Sequence, residues 1–114
     1  MKITLDFVPP SINEYIGRTN NWEYQRDKKR IHKAVIMETI GVNPRYKKCK
    51  MKIIYYFKNR IRHDPSNYDK MLLDGLVKAN IIEDDSYDVI QEFITVGKYD
   101  KGNPRTEIYI EEVE

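Results

Sequence analysis

An α+β fold, a small mixed β-sheet with two helices packed on it in the order β-α-β-α-β-β, is predicted by three observations. Residues 2–7 and 51–58 alternate between apolar and polar side chains, residues 67–79 repeat apolar side chains at helical spacing, and two strand-like runs close the chain without a helix between them. A chain of 114 residues suits one domain, 1–114, whose modest core would gain from oligomerisation.

The first strand is expected over Lys2 to Phe7, with Ile3, Leu5 and Phe7 on one face and Lys2, Thr4 and Asp6 on the other. Pro9-Pro10 ends it, and Ser11 to Thr19 forms an irregular connection. Asn20 with Glu23 offers a capping box for a helix running to about Ile40, with Gly41 as its stop. Ile31, Val35 and either Met37 or Glu38 mark its narrow apolar stripe, while Arg26, Lys28, Lys29, Arg30 and Lys33 dominate the remainder. Trp22 and Tyr24 at the helix entry suit either the edge of the core or stacking on bases.

Asn43-Pro44 marks a turn before the second strand, Met51 to Lys58. Met51, Ile53, Tyr55 and Phe57 form its core face, whereas Ile54 and Tyr56 make the opposite face too apolar for open water and suggest a subunit contact. The second helix spans about Asn67 to Ala79, with Tyr68, Leu72, Leu73, Leu76 and Val77 on its core face. Asn80 stands where a left-handed cap is needed, and Ile81-Ile82 re-enters the core. Val89 to Gly97 and Arg105 to Val113 read as the last two strands, joined through the turn-rich 99–104 as an antiparallel hairpin.

The near balance of 20 basic and 18 acidic residues hides an asymmetry. Residues 1–63 hold 15 basic and 5 acidic side chains, residues 64–114 hold 5 and 13. The first part can face a polyanion while the second supplies carboxylates for a metal, although basic runs such as 26–30 are also what solvated helix faces look like. The single Cys49 excludes an intrachain disulfide, MKITLDF lacks a signal peptide's apolar run, and no stretch approaches the length of a membrane helix. A reducing cytoplasm is the expected compartment.

The chemically suggestive residues concentrate between Arg60 and Asp85. Pro65 keeps Asp64 extended just outside the second helix, and Lys70 falls in that helix's first turn, where the dipole disfavours a cation unless an anion is near. Asp84 and Asp85 follow the helix on the segment that returns to the sheet, so two acidic points and one lysine are expected to converge at one end of it. Each has a plainer account. Asp64 can cap a helix, Asp84-Asp85 can be a solvated turn, and Lys70 can pair with Asp74 one turn later. His63 suits a solvent-facing or phosphate-contacting loop position, and His32 sits in a basic helix. Arg60 and Arg62 lead into the loop and suit phosphate contacts.

The run Arg62-His63-Asp64-Pro65-Ser66-Asn67-Tyr68, then Lys70, Leu73-Asp74-Gly75-Leu76 and Ile82-Glu83-Asp84-Asp85-Ser86, resembles the RusA family of Holliday-junction resolvases. Pro9-Pro10-Ser11-Ile12-Asn13 also resembles that family's N-terminal segment, so the likeness runs over nearly the whole chain. The family pattern is Asp-x-Asp-Asn, a lysine four residues after the second aspartate, and an Asp-Asp pair whose second member, fifteen residues beyond the lysine, is catalytic. Asp64, Lys70 and Asp85 occupy three of the four essential positions; Ser66 stands at the fourth, in place of aspartate.

The resemblance implies a magnesium-dependent endodeoxyribonuclease, with manganese as a substitute ion, that cuts four-way DNA junctions in recombination and repair. It implies a bacterial or phage origin and a homodimer, since two symmetric nicks call for two sites related by a two-fold axis. Asp64, Lys70 and Asp85 are then the catalytic set; Asp64 and Asp85 hold metal, with Ser66 a weak or outer ligand and Asp84 a further candidate. Lys28, Lys29, Arg30, Arg60, Arg62 and Asn67 are the expected DNA contacts. Three alternatives stay open: a junction-binding protein impaired at Ser66, a nuclease for another branched or single-stranded substrate, and an interaction module whose basic helix binds an acidic protein.

Overall fold

The computed structural model describes residues 1–15, 21–61 and 63–114. Four strands, β1 (Lys2–Leu5), β2 (Cys49–Phe57), β3 (Ile90–Tyr99) and β4 (Arg105–Glu112), form one mixed sheet. Two helices, α1 (Trp22–Glu38) and α2 (Asp69–Lys78), follow β1 and β2, and 3-10 turns occupy Ile12–Tyr15 and Pro65–Tyr68. The predicted α+β class and β-α-β-α-β-β order are those observed. No helix among the described residues is long and apolar enough to cross a membrane.

The alternation read in β2 sets the inside of the sheet. Cys49, Met51, Ile53, Tyr55 and Phe57 are buried beneath the helices, joined by Ile3 and Leu5 of β1, Ile108 and Ile110 of β4, and Leu72 and Leu76 of α2. On the other face Lys50 and Lys52 are exposed. Ile54, in register between Val96 and Glu107, is already buried within the protomer, and the Arg105 guanidinium lies 3.7 Å from the centre of the Tyr56 ring. The apolar area expected to mark a subunit contact there is largely covered by the chain itself.

The strand order is β1-β4-β2-β3. The hairpin expected between the last two strands does not form: β2 lies between them, parallel to β3 and antiparallel to β4. The 100–104 segment reverses the chain, but it carries it past the end of β2, where the Asp100 N–H donates to the Phe57 carbonyl at 2.8 Å. Asp100 then accepts from the Asn103 N–H and from Arg105, which folds the turn. A turn-rich connection specifies reversal, not adjacency; the apolar residues Ile108 and Ile110 draw β4 inward between β1 and β2.

Helix α1 begins at Trp22 with Asn21 at its cap and no side-chain capping bond; the Asn20 half of the predicted capping box lies outside the described residues. Its buried stripe is Asp27, Ile31, Val35 and Thr39, one turn apart, whereas both Met37 and Glu38 are exposed. The aspartate is tolerated because its bonds are all made. The Tyr15 hydroxyl donates to Oδ2 at 2.7 Å, and Arg26 and Arg30 lie 3.3 and 3.4 Å from Oδ1. Burial pushes the Asp27 carboxyl up, but the tyrosine and the two guanidinium groups outweigh it and hold it below its usual value. Tyr24 packs on Tyr15 at the core edge, while Trp22 stays 56% exposed beside Arg26.

Helix α2 crosses α1 at Gly75, where a Cβ would come within 3.3 Å of Val35 and 3.4 Å of His32. Asn80 takes φ of 59° and ends α2 as its side chain permits. Ile81 and Ile82 then turn into the core, and the Tyr46 N–H bonds to the Ile81 carbonyl at 2.9 Å.

Candidate active site

Asp64 has the extended backbone that Pro65 requires, at φ −100° and ψ 103°. It stands at the cap position of the Pro65–Tyr68 turn without using its side chain to cap it, so the capping account of this aspartate does not describe the side chain. Its loop is fixed from beneath. The His63 ring stacks on Phe57 at 3.9 Å, nearly parallel, with Nδ1 2.9 Å from the Tyr68 hydroxyl and Nε2 2.8 Å from Asn59 Oδ1. His63 therefore buttresses the loop from a half-buried position; of the two readings the sequence suggested, solvent-facing or phosphate-contacting, the first does not describe it. Pro65 packs over Gly97 of β3, where a Cβ would come within 3.2 Å of both Pro65 and Phe57. Arg60 lies 4.1 Å over the Tyr99 ring, and Ser66 is exposed in the turn. Asn67 is half-buried, its N–H bonded to the Asp64 carbonyl. Arg62 lies outside the described residues.

Asp84 and Asp85 are held at a different place. The Glu83 N–H bonds to the Tyr46 carbonyl at 3.0 Å, and the Ser86 carbonyl accepts from Val89 and Ile90, so the two aspartates are presented between anchored neighbours ahead of β3. Both are exposed and line a groove of about 480 Å³ between α1 and α2 with Lys28, His32, Asp74, Val77 and Lys78. Within it His32 is only 9% exposed, and its Nε2 lacks a hydrogen-bond partner among the described residues. Burial, and then Lys28, push His32 below its usual pKa and favour the neutral ring. Sequence reading left this histidine in the basic helix, although its place beside Ile31 and three residues before Val35, both on the apolar stripe, was the signal that it turns inward.

The expected convergence of the acidic points does not occur within one protomer. Strands β2 and β3 are parallel, with Cys49 beside Ile90 and Phe57 beside Tyr99. Asp64 follows the exit of β2, and Asp85 precedes the entry of β3. The ends of the nine-residue β2 are about 25 Å apart, and α2, about 15 Å long, runs between the two aspartates. Among the described residues no three Asp, Glu, His or Cys side chains group as a metal site.

Lys70 is 60% exposed, and its Nζ lies 3.9 Å from Asp74 Oδ2. Lys28 of α1 is at the same distance from the same oxygen, so the expected ion pair exists but is loose and shared. Lys29 and Arg30 lie on the exposed side of α1.

Asp69 is committed elsewhere. Its Oδ1 accepts from the buried Tyr55 hydroxyl and its Oδ2 from Thr95 at 3.0 Å, which pins the start of α2 to β2 and β3. Burial raises the Asp69 pKa against the two hydrogen bonds that lower it. Asp69→Ala is expected to destabilise the protein by about 2 kcal/mol, the scale of leaving a buried hydroxyl without its partner. Urea denaturation measures this; a change below about 0.5 kcal/mol would contradict the structural role.

The oxygen-only donors Asp64, Ser66, Asp84 and Asp85 are of the kind a hard divalent cation accepts, and all four are exposed. The model for the family described as Endodeoxyribonuclease RusA matches residues 6–111. The chain belongs to the RusA endodeoxyribonuclease family. Membership implies an endonuclease that resolves Holliday junctions. A search of curated proteins finds no match. The RusA match takes in the Asp64 loop, α2 and the Asp84-Asp85 segment together, so both acidic points fall inside it.

Proposed function

We propose that this RusA family member is a magnesium-dependent, structure-selective endodeoxyribonuclease that acts in the cytoplasm as a homodimer on four-way junctions. Asp64, Lys70 and Asp85 form its catalytic set. The observation that carries this reading is the match over residues 6–111; the choice of these three residues rests on their resemblance to the family's motif. Their placement at opposite ends of α2 supports a site completed between subunits, with Asp64 and Ser66 of one protomer facing the partner's Asp84 and the partner's Asp85. Magnesium, or manganese in its place, would supply charge stabilisation and an activated water there. Lys70 balances charge at the scissile phosphate, and Lys28, Lys29, Arg30, Arg60, Arg62 and Asn67 hold the DNA backbone. Cleavage of a labelled four-way junction with and without magnesium tests the whole reading; binding without cleavage in magnesium and in manganese would overturn it.

Ser66 supports a second reading, a junction-binding protein with impaired chemistry, because a hydroxyl is a neutral and weaker ligand than the family's aspartate. Asp69 is too firmly held by Tyr55 and Thr95 to replace it. Ser66→Asp is expected to lower the magnesium concentration at half-maximal cleavage by about tenfold, through the added ligand charge. The turn should tolerate it, since serine and aspartate are both good caps. A magnesium titration of cleavage checks this. A native protein already saturated at low magnesium and unimproved by the substitution would show that another group completes the site, and a correctly folded variant without activity would favour the binding-only reading.

A further inference from the structure

Strand β3 lies at one edge of the sheet, opposite β1, so among the described residues one side of its ten-residue backbone has no strand beside it. Edge strands are ordinarily short, proline-bearing, kinked or charged, which prevents pairing with another chain; the charges on β3 are of opposite sign, Glu92 and Lys98. β3 has none of the other features beyond a register shift at its entry, and it leaves Phe93 38% and Ile94 46% exposed. Its sequence, Gln91-Glu92-Phe93-Ile94-Thr95-Val96-Gly97-Lys98-Tyr99, is close to self-complementary about Thr95.

We infer that β3 pairs antiparallel with β3 of a second copy about a two-fold axis at Thr95, joining the two sheets into one of eight strands. This rests on the homodimeric reading above and adds the surface that makes the dimer. Residues opposite each other in an antiparallel pair share a face, so keeping both protomers' helices on one side allows only registers that pair even-numbered residues with even. With Thr95 opposite itself, Glu92 meets the partner's Lys98, Ile94 meets the partner's Val96, and Phe93 meets the partner's Gly97. Each of these pairings occurs twice by symmetry. Opposite charges and apolar pairs in such positions stabilise a sheet. Moving the axis to Ile94 sets Glu92 against Val96, and moving it to Val96 sets Glu92 against Asp100; both lose the charge match.

The same pairing bears on the divided site. It sets Tyr99 opposite the partner's Gln91, so the end of β3 that carries Pro65 lies alongside the end where the partner's β3 begins. Asp64 of one protomer and the partner's Asp85 are then at one end of the joined sheet, an arrangement that a single protomer does not provide.

Disulfide trapping tests the register. The native Cys49 is buried and does not compete. Glu92→Cys and Lys98→Cys proteins, mixed and oxidised, are expected to form a covalent dimer on a non-reducing gel, since facing residues have Cα atoms within disulfide range. Either variant alone should remain a monomer on that gel, because its two cysteines are about 20 Å apart in this register. In solution, Lys98→Glu should raise the dimer dissociation constant about tenfold by turning two attractive pairs into repulsive ones, and Glu92→Lys with Lys98→Glu should largely restore it. Circular dichroism checks that the exposed substitutions leave the fold intact. A native dimer in sedimentation that gives no mixed cross-link and ignores the charge changes would overturn the β3 pairing while leaving the homodimer. A native monomer at micromolar concentration, with and without junction DNA, would overturn the homodimeric reading itself.

Discussion

Asp64→Asn and Asp85→Asn proteins, each without cleavage activity and each still folded and able to bind a junction, are expected to regain nicking when the two are mixed. The singly substituted proteins should fall by at least about a thousandfold, because each loses ligand charge at a site where charge is the chemistry. Both side chains are exposed and outside the core, so stability should hold, and less negative charge should tighten DNA binding. When subunits exchange, a mixed dimer with shared sites carries both substitutions in one site and none in the other. Random exchange therefore restores roughly a quarter of the native sites, which is arithmetic that follows from two-fold symmetry. Such dimers should nick one strand without making the symmetric second cut. If each site were built within one protomer, every site in the mixture would carry one substitution and nothing would be regained. Burst amplitudes on a junction labelled on each strand in turn distinguish these results. Substantial magnesium-dependent nicking by either variant alone would remove its residue from the catalytic set.

What the sequence disclosed about this site was local. Pro65 fixes the Asp64 backbone, Asn80 permits the left-handed cap, and the spacing of Leu72 and Leu76 sets the buried side of α2; each effect operates within one or two turns of chain. What it withheld depends on partners distant in the chain. The relation of Asp64 to Asp85 is set by the parallel register of β2 on β3, which pairs residues 41 or 42 positions apart, and no periodicity encodes that number. The false hairpin between β3 and β4 has the same origin, since reversal is local but adjacency is decided by which strand the core draws inward. Buried Asp27 and Asp69 were opaque for a related reason. A carboxylate on a helix reads as solvated until Tyr15, or Tyr55 and Thr95, are seen to satisfy it.

The charge asymmetry also gains a physical form. Lys28 joins α1 to α2 through Asp74, whereas Lys29 and Arg30 remain on the exposed side, so the basic part of the chain meets the acidic part at the interhelical groove that holds Asp84 and Asp85. A DNA strand following Lys29 and Arg30 would run along α1 past that groove. On the proposed reading, backbone binding and chemistry would lie on adjoining surfaces and fall to different side chains, so substitutions in the two sets should act on different constants.

Lys70→Ala is expected to lower the cleavage rate at saturation by about a hundredfold to a thousandfold with little change in junction affinity, as loss of a charge that acts mainly on the transition state should. The fold gives the lysine little else to do. It is largely exposed, its contact with Asp74 is 3.9 Å, and Lys28 approaches the same carboxylate oxygen, so Asp74 keeps a partner after the substitution. The lysine-then-aspartate order is also the weaker orientation for an i to i+4 pair, and stability should change by less than about 0.5 kcal/mol. Lys28→Ala with Lys29→Ala should behave in the opposite sense, weakening binding, lowering the magnitude of its salt dependence by about two phosphate contacts and sparing the saturated rate. Single-turnover cleavage and salt-dependent binding, measured on both variants, separate the two roles. A Lys70→Ala protein that cleaves at the native rate but melts earlier would assign the lysine to its ion pair with Asp74.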